Sequence, residues 1–250
     1  MRVEWQAAFV DVPERAVGPV GAFWCAVTAS ALSTPQGDHG EHATFEPLDG
    51  DPYLRVQGLR SCPPGVHVDL HVEDLTDAAD EAVERGVTER DRRSDIAVLG
   101  SPGGLPFCLV RPGTGQVRPV PQRWPGGQAS LLDQVCLDIP SAGYDREVAF
   151  WSDLTGWPVR GSSEPEVLTV ARPRSLPLRF LLQRLDDASI DDRVAAHLDL
   201  ACDDRTPEVE RHRAAGATLR AKRSGWTTLV DPAGAPYCVT DRDPVSGLRE

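Results

Sequence analysis

Apolar and polar residues alternate strictly in the segment GVHVDLHV, which covers residues 65–72. Side chains of a strand point alternately to its two faces, so this pattern predicts a strand with His67, Asp69 and His71 together on one face. The segment LLDQVCLDI, residues 131–139, alternates in the same way and places Gln134 and Cys136 on its more polar face. Each segment therefore predicts a strand that packs through one face and meets polar surroundings with the other.

Apolar residues at helical spacing follow the first of these strands. The stripe consists of Leu75, Ala78, Ala79, Ala82 and Val83. A helix is also expected in the second half from the segment TPE, with Thr206 as its N-cap and Pro207 in its first position. A third helix, REVAFWSDLTGW, is expected to end at Gly156, because glycine readily adopts the left-handed conformation that closes a helix.

The same pattern of strands and helices occurs twice along the chain. His67 corresponds to His197 and Cys108 to Cys238 at a constant offset of 130 residues, and the segments upstream of them match at an offset of 127. The motif SPGGLPFC likewise matches DPAGAPYC, and each predicts two short strands joined by a Pro/Gly turn. Self-similarity of this kind indicates a duplicated structural unit.

The repeat predicts an α+β fold with two tandem domains, residues 1–113 and 129–250. A linker rich in Pro, Gly and polar residues, 114–128, is expected to join them. Each half contains two copies of a unit in which a strand, a helix and further strands follow one another. Whether these units pair within a half or across the halves stays open at this stage.

Composition narrows the class of partner. The net charge of -12 disfavours nucleic acid and anionic membranes, which require clustered cationic surface. No apolar run has the length of a membrane-spanning helix, and the first ten residues lack the features of a secretory signal, so a cytoplasmic location is expected. The six cysteines are scattered without a C-x-x-C pair, which favours reduced thiols over disulfides.

Four segments together resemble the vicinal oxygen chelate superfamily, which includes glyoxalase I, bleomycin-resistance proteins, fosfomycin-resistance enzymes and extradiol dioxygenases. The segments are AFW…LTGW ending at Trp157, HLDLACDD from His197, AAGAT from Ala214, and DPAGAPYC from Asp231. The resemblance implies that each domain consists of two βαβββ units. Their curved sheets would form a partly open barrel around a cavity for a metal ion or a small ligand.

The resemblance also implies four positions for metal ligands in each domain, which are called the inherited positions below. In the second half they hold Gln134, Gln183, His197 and Cys238; in the first half they hold Ala7, Gln57, His67 and Cys108. An amide is a poor ligand for a transition metal, a buried thiol must first lose its proton, and alanine offers no donor. We therefore expect no bound transition metal and no cofactor.

Two classes of function remain. The first is a metal-free module that binds a small molecule in the second half, through Gln134, Gln183, His197, Trp226 and Cys238, with Trp226 stacking on a ring. The second is a metal-dependent lyase, isomerase or dioxygenase-type enzyme in which His197 is a ligand and Asp199 a base.

The structural alternatives are simpler. In the structural alternative, His67 and His197 form hydrogen bonds within the fold and have no other role. Cys108 and Cys238 are expected to be buried thiols. Trp24 and Trp151 are expected to pack in the core. If the cavity is filled by its own side chains, the halves would act as a scaffold for a homodimer.

Overall fold

The computed structural model describes residues 1–61, 63–113, 115, 117–161, 164–186 and 192–249. Thr114 and Gln116 of the predicted linker, and Glu250 at the end of the second predicted domain, lie outside the described residues. Within the described ranges, every helix is too short or too polar to cross a lipid bilayer.

Apart from the additional short strand β9 (Gln122–Arg123), strands and helices follow one another in the same order in both halves. The first half contains β1 (Val3–Pro13), α1 (Val17–Thr28), β2 (Ser30–Leu32), β3 (His42–Pro47), β4 (Leu54–Leu59), β5 (Gly65–Val72), α2 (Leu75–Glu84), β6 (Thr88–Arg92), β7 (Ile96–Gly100) and β8 (Pro106–Val110). The second half contains β9 (Gln122–Arg123), β10 (Ala129–Pro140), α3 (Tyr144–Thr155), β11 (Val159–Gly161), β12 (Val167–Val170), β13 (Arg179–Leu185), β14 (Ala195–Cys202), α4 (Arg205–Ala214), β15 (Thr218–Lys222), β16 (Trp226–Val230) and β17 (Pro236–Thr240).

Each half forms one mixed sheet with the same strand order. The first sheet runs β2-β3-β4-β1-β5-β8-β7-β6, and the second runs β11-β12-β13-β10-β14-β17-β16-β15, with β9 paired to β10. Among the described residues, both sheets are open rather than closed barrels. The α+β fold with two βαβββ units in each half is confirmed.

The helices confirm one prediction and correct three. Gly156 follows α3 with a φ of 70°, as expected. Thr206 is not the N-cap of α4, because Asp204 occupies that place and its carboxylate accepts the backbone N–H of Thr206 at 3.1 Å. Pro207 is accordingly the third residue of α4 and not the first. Val83 of the predicted stripe is exposed, because it lies at the edge of the buried face of α2.

The polar faces of the two alternating strands are buried. In β5 every residue from Val66 to Val72 is buried, and in β10 every residue from Ala129 to Leu137 is buried. Both strands are internal to their sheets, with a paired strand on either side. Their polar side chains therefore need partners inside the protein, because a polar group buried without one costs free energy.

The described contacts divide the chain into two compact units that each draw on both halves. The first compact unit contains Met1–Ala8, His67–Gln116 and Val135–Ala196. The second compact unit contains Phe9–Val66, Val117–Gln134 and His197–Glu250. This division answers the question that the repeat left open, because a βαβββ unit of one half packs with a unit of the other half.

A buried tryptophan lies in the core of each compact unit, as the sequence predicts. In the first compact unit the ring of Trp151 lies 5.2 Å from those of Phe107 and Phe180. In the second compact unit the ring of Trp24 lies 5.2 Å from that of Tyr237. Edge-to-face aromatic pairs add stability beyond the burial of their area.

A carboxylate accepts the indole N–H of Trp151 in the first compact unit. It comes from Glu147 on α3, whose Oε2 lies 2.8 Å from Trp151 Nε1. Oε1 of the same residue accepts the hydroxyl of Ser101 at 2.7 Å and the backbone N–H of Gly103. Burial raises the pKa of Glu147, and these hydrogen bonds oppose that effect.

In the second compact unit, the carboxylate beside the buried tryptophan comes from a turn and not from a helix. There the carboxylate belongs to Asp231, which corresponds to Ser101, while Val20 corresponds to Glu147. Asp231 accepts the indole N–H of Trp24 at 3.3 Å and the backbone N–H groups of Ala233 and Ala235 at 2.9 and 3.0 Å. One cluster of donors is thus satisfied by a helix residue in one unit and by a turn residue in the other.

A second buried polar network lies on α4. Glu208 and His212 are fully buried there, at positions where α2 carries Ala78 and Ala82. Glu208 binds His212 at 3.1 Å and the guanidinium of Arg211 at 2.6 Å. It also accepts hydrogen bonds from the side chains of Gln128 and Ser130. This network distinguishes the second half from the first.

Candidate functional site

Four buried polar side chains converge within the second compact unit, and we call them the second-half cluster: Gln134, His197, Asp199 and Cys238. They lie on β10, β14 and β17, which are neighbours in the second sheet. The parallel register places Asp199 opposite Cys238, and His197 lies on the same face because it precedes Asp199 by two residues. All four are at least nine-tenths buried.

The contacts of the second-half cluster leave two oxygen atoms for a ligand. Gln134 Nε2 donates a hydrogen bond to Asp199 Oδ2. His197 Nε2 lies 3.3 Å from Asp199 Oδ1 and 3.7 Å from Cys238 Sγ. Among the described residues, no hydrogen-bond donor reaches Gln134 Oε1, and none reaches Asp199 Oδ1 with good geometry. Both atoms are buried hydrogen-bond acceptors.

These donors do not fit a transition metal at the inherited positions of the second half. Burial raises the pKa of the Cys238 thiol, and the charge of Asp199 adds to this effect while His197 opposes it. Cys238 is therefore a protonated thiol at neutral pH. Gln134 offers only an amide oxygen, which leaves His197 as the single strong donor among the inherited positions of this unit.

Two other predicted site residues lie outside the second-half cluster. Trp226 pairs with Thr240 on β17, whereas Thr228 pairs with Cys238, so Trp226 shares the face of the cluster one pleat further along β16. The guanidinium of Arg249 lies 5.9 Å from the centre of its ring. Gln183 belongs to the first compact unit, where it accepts a hydrogen bond from the Cys136 thiol at 3.6 Å.

The first half repeats part of the cluster, and we call this set the first-half cluster: His67, Asp69 and Cys108. One ligand atom from each residue lies within 4.8 Å of the others, and all three are buried. His67 Nε2 is 3.7 Å from Asp69 Oδ1. Ala7 stands at the position that corresponds to Gln134.

Two residues in these clusters, Asp69 and Asp199, do not occupy inherited positions. Both carboxylates lie beside the histidine of their own strand because residues two apart share a face. The repeated H-x-D pattern in the sequence indicates this pairing of histidine and aspartate.

A separate small cavity of about 50 Å³ in the second compact unit is lined mainly by apolar residues, including Phe45, Tyr53 and Leu132, and by none of the cluster residues.

Comparison with known proteins identifies the family to which the fold belongs. The model of the family described as "Glyoxalase-like domain" matches residues 7–110 and 134–240. A search of curated proteins gives no match.

Three solved structures illustrate the similarity. A mutant 4-hydroxymandelate synthase from Streptomyces coelicolor is 14% identical with a TM-score of 0.60, covering 100% of this chain and 94% of its own. A 2,2',3-trihydroxybiphenyl 1,2-dioxygenase from Sphingomonas wittichii is 13% identical with a TM-score of 0.63, covering 95% and 90%. The Mn(II)-bound glyoxalase from Novosphingobium aromaticivorans is 15% identical with a TM-score of 0.62, covering 96% and 82%.

At these identities the likeness shows a shared fold rather than a shared activity. The family match covers most of the chain in two segments, one in each half. The chain therefore belongs to the glyoxalase-like domain family of the vicinal oxygen chelate superfamily, with one family domain in each half.

Proposed function

We propose that the second-half cluster binds a small organic molecule without a transition metal at the inherited positions. The observation that carries the proposal is the buried oxygen Gln134 Oε1, which no donor of the described residues reaches. Leaving such a group unpaired costs about 1–3 kcal/mol. A hydroxyl or N–H group of a bound molecule would remove that cost.

The chemistry of the cluster favours a hydroxylated aromatic compound. Gln134 Oε1 and Asp199 Oδ1 are both acceptors, so the ligand must supply donors. Trp226 lies about 7 Å along the strand direction from the level of Cys238, which suits a ring attached to those donors. Two proteins of similar fold are named for reactions of 4-hydroxymandelate and trihydroxybiphenyl, which are hydroxylated aromatic compounds.

A titration with a panel of phenols and catechols would test the proposal. We expect at least one compound to change the tryptophan fluorescence, and Gln134→Leu to weaken its binding about tenfold, the value of one hydrogen bond. His197→Ala should weaken it as well. His67→Ala, at the equivalent position of the first half, is the matched control and should leave the affinity unchanged. Chelation with EDTA should also have no effect.

Two outcomes would contradict the proposal. If no compound in the panel binds, the cluster is a filled core. If Gln134→Leu binds a compound as tightly as the unmodified protein while His197→Ala only lowers the free energy of unfolding, the cluster is likewise structural. The result would then favour the alternative in which the halves are a scaffold for a homodimer. In that case His197→Ala should also promote dissociation of the dimer.

A further inference from the structure

The small cavity of the second compact unit reaches the protein surface. Every residue that lines it belongs to that unit, and its walls include Phe45, Leu54 and Leu132. Leu48 and Val120 also line it, and because they are 79% and 58% exposed, the cavity opens beside them. We propose that this cavity binds a small planar aromatic molecule of the size of indole.

The two copies of the repeat carry side chains of different size at this place. Ser30 and Leu132 line the cavity. The residues that correspond to them at the offset of 127 are Trp157 and Trp5, which are both buried in the first compact unit. The second compact unit therefore lacks two indole rings that the first contains. A bound ring would take the place of a side chain that this copy does not have.

A third position follows the same pattern. Leu54 and Phe180 each stand three residues before the glutamine at the inherited position of their strand. The ring of Phe180 lies 5.8 Å from that of Trp157, whereas Leu54 lines the cavity. Phe45 pairs with Leu54 where Val170 pairs with Phe180, so Phe45 replaces only part of the missing volume. What is left accounts for the cavity.

The size and the opening of the cavity indicate how a ring would bind. An apolar cavity of roughly 150 Å³ holds a whole benzene molecule. The present cavity, at about 50 Å³, has room for one edge of a ring, and the rest would cover the exposed Leu48 and Val120. The segment before Val120 is already fixed, because the N–H of Asp51 donates to the carbonyl of Val117 and the Asp51 carboxylate accepts the N–H of Val117, both at 2.8 Å.

Ser30 supplies a hydrogen-bond acceptor in the wall of the cavity. Thr28 Oγ1 donates to the backbone carbonyl of Trp24 at 2.6 Å and lies 2.6 Å from Ser30 Oγ. Since a hydroxyl has one proton, Ser30 donates to Thr28 and its own oxygen can still accept. A ring N–H suits that oxygen. The inference is independent of the ligand proposed for the second-half cluster, which shares no residue with this cavity.

Calorimetric titration of the full-length protein with indole would test the site. We expect one indole per chain. Benzofuran has the same shape without the N–H group and should bind about tenfold more weakly, the value of one hydrogen bond. Ser30→Ala should weaken indole binding about tenfold and leave benzofuran binding unchanged. Leu54→Phe places the residue of the other copy in the cavity and should weaken the binding of both compounds more than about tenfold.

Leu219→Phe is the matched control, because it makes the same change at an exposed leucine of the same unit that does not line the cavity. Its affinity for indole should equal that of the unmodified protein. The inference is overturned if indole does not bind at millimolar concentration, if Leu54→Phe binds it as tightly as the unmodified protein, or if Ser30→Ala keeps the preference for indole over benzofuran. Circular dichroism of each variant would show that lost binding does not reflect unfolding.

Discussion

Glu147→Val is expected to lower the free energy of unfolding by about 3 kcal/mol. The change removes the carboxylate that accepts the indole N–H of Trp151, the hydroxyl of Ser101 and the backbone N–H of Gly103. Glu147 is fully buried, so these donors would lose their partner away from water, and each buried group left unpaired costs about 1–3 kcal/mol. Urea denaturation followed by tryptophan fluorescence would measure the loss.

The second compact unit supplies a rescue for this variant. It places valine at the equivalent helix position, Val20, and aspartate at the equivalent turn position, Asp231. Adding Ser101→Asp to Glu147→Val should therefore restore at least about half of the lost stability. Ser101→Asp alone should destabilise the protein, because it places two buried carboxylates side by side. The explanation fails if the double variant is no more stable than Glu147→Val.

Glu208→Ala is expected to destabilise the protein by about 3–5 kcal/mol. The loss is large because Arg211 and His212 would lose the carboxylate that binds both of them in a buried site. Glu210→Ala on the same helix is the matched control. Glu210 is exposed and pairs with the exposed Arg213, so its removal should cost no more than about 0.5 kcal/mol. Equal losses in the two variants would show that the network contributes little.

The same network makes stability depend on pH. Burial alone would raise the pKa of Glu208, but hydrogen bonds from His212 and Arg211 outweigh it and hold the pKa well below its ordinary value of 4.5. Burial lowers the pKa of His212 below 6.5. In both cases the unfolded chain binds more protons than the folded chain. The contribution of the network is therefore complete above pH 6.5 and falls as the pH drops, first through His212 and then, below pH 4.5, through Glu208.

Much of the fold could be predicted from the sequence because its signals are local or repeated. Alternation located β5 and β10, and Gly156 located the end of α3. The pairing of βαβββ units across halves could not be predicted, since similar apolar residues line both copies of each unit. The deciding contacts are specific, such as Trp24 with Tyr237 and Trp151 with Phe107. No local pattern encodes which of these rings meet.

The candidate site was predicted in part. The positions of His197 and Cys238 on neighbouring strands followed from the repeat and the resemblance, and the structure places Gln134 against Asp199, two residues after His197 on β14. The contribution of Asp199 to that cluster depends on the register of β10 against β14, which alternation alone does not reveal. The buried carboxylates of Glu147 and Glu208 were missed because acidic residues on helices usually face solvent.

The two ways of placing a carboxylate beside a buried tryptophan have an evolutionary consequence. A methyl group at Gly103 would lie 2.7 Å from Glu147 Oε1 and 2.3 Å from a methyl carbon of Val194, whereas Ala233 already carries one at the equivalent turn position. Positions 101, 103 and 147 can therefore not drift independently. Descendants of this chain should keep Ser, Gly and Glu together, or exchange them jointly for the Asp, Ala and Val found in the other copy. Such covariation would show that the three positions are selected as one set.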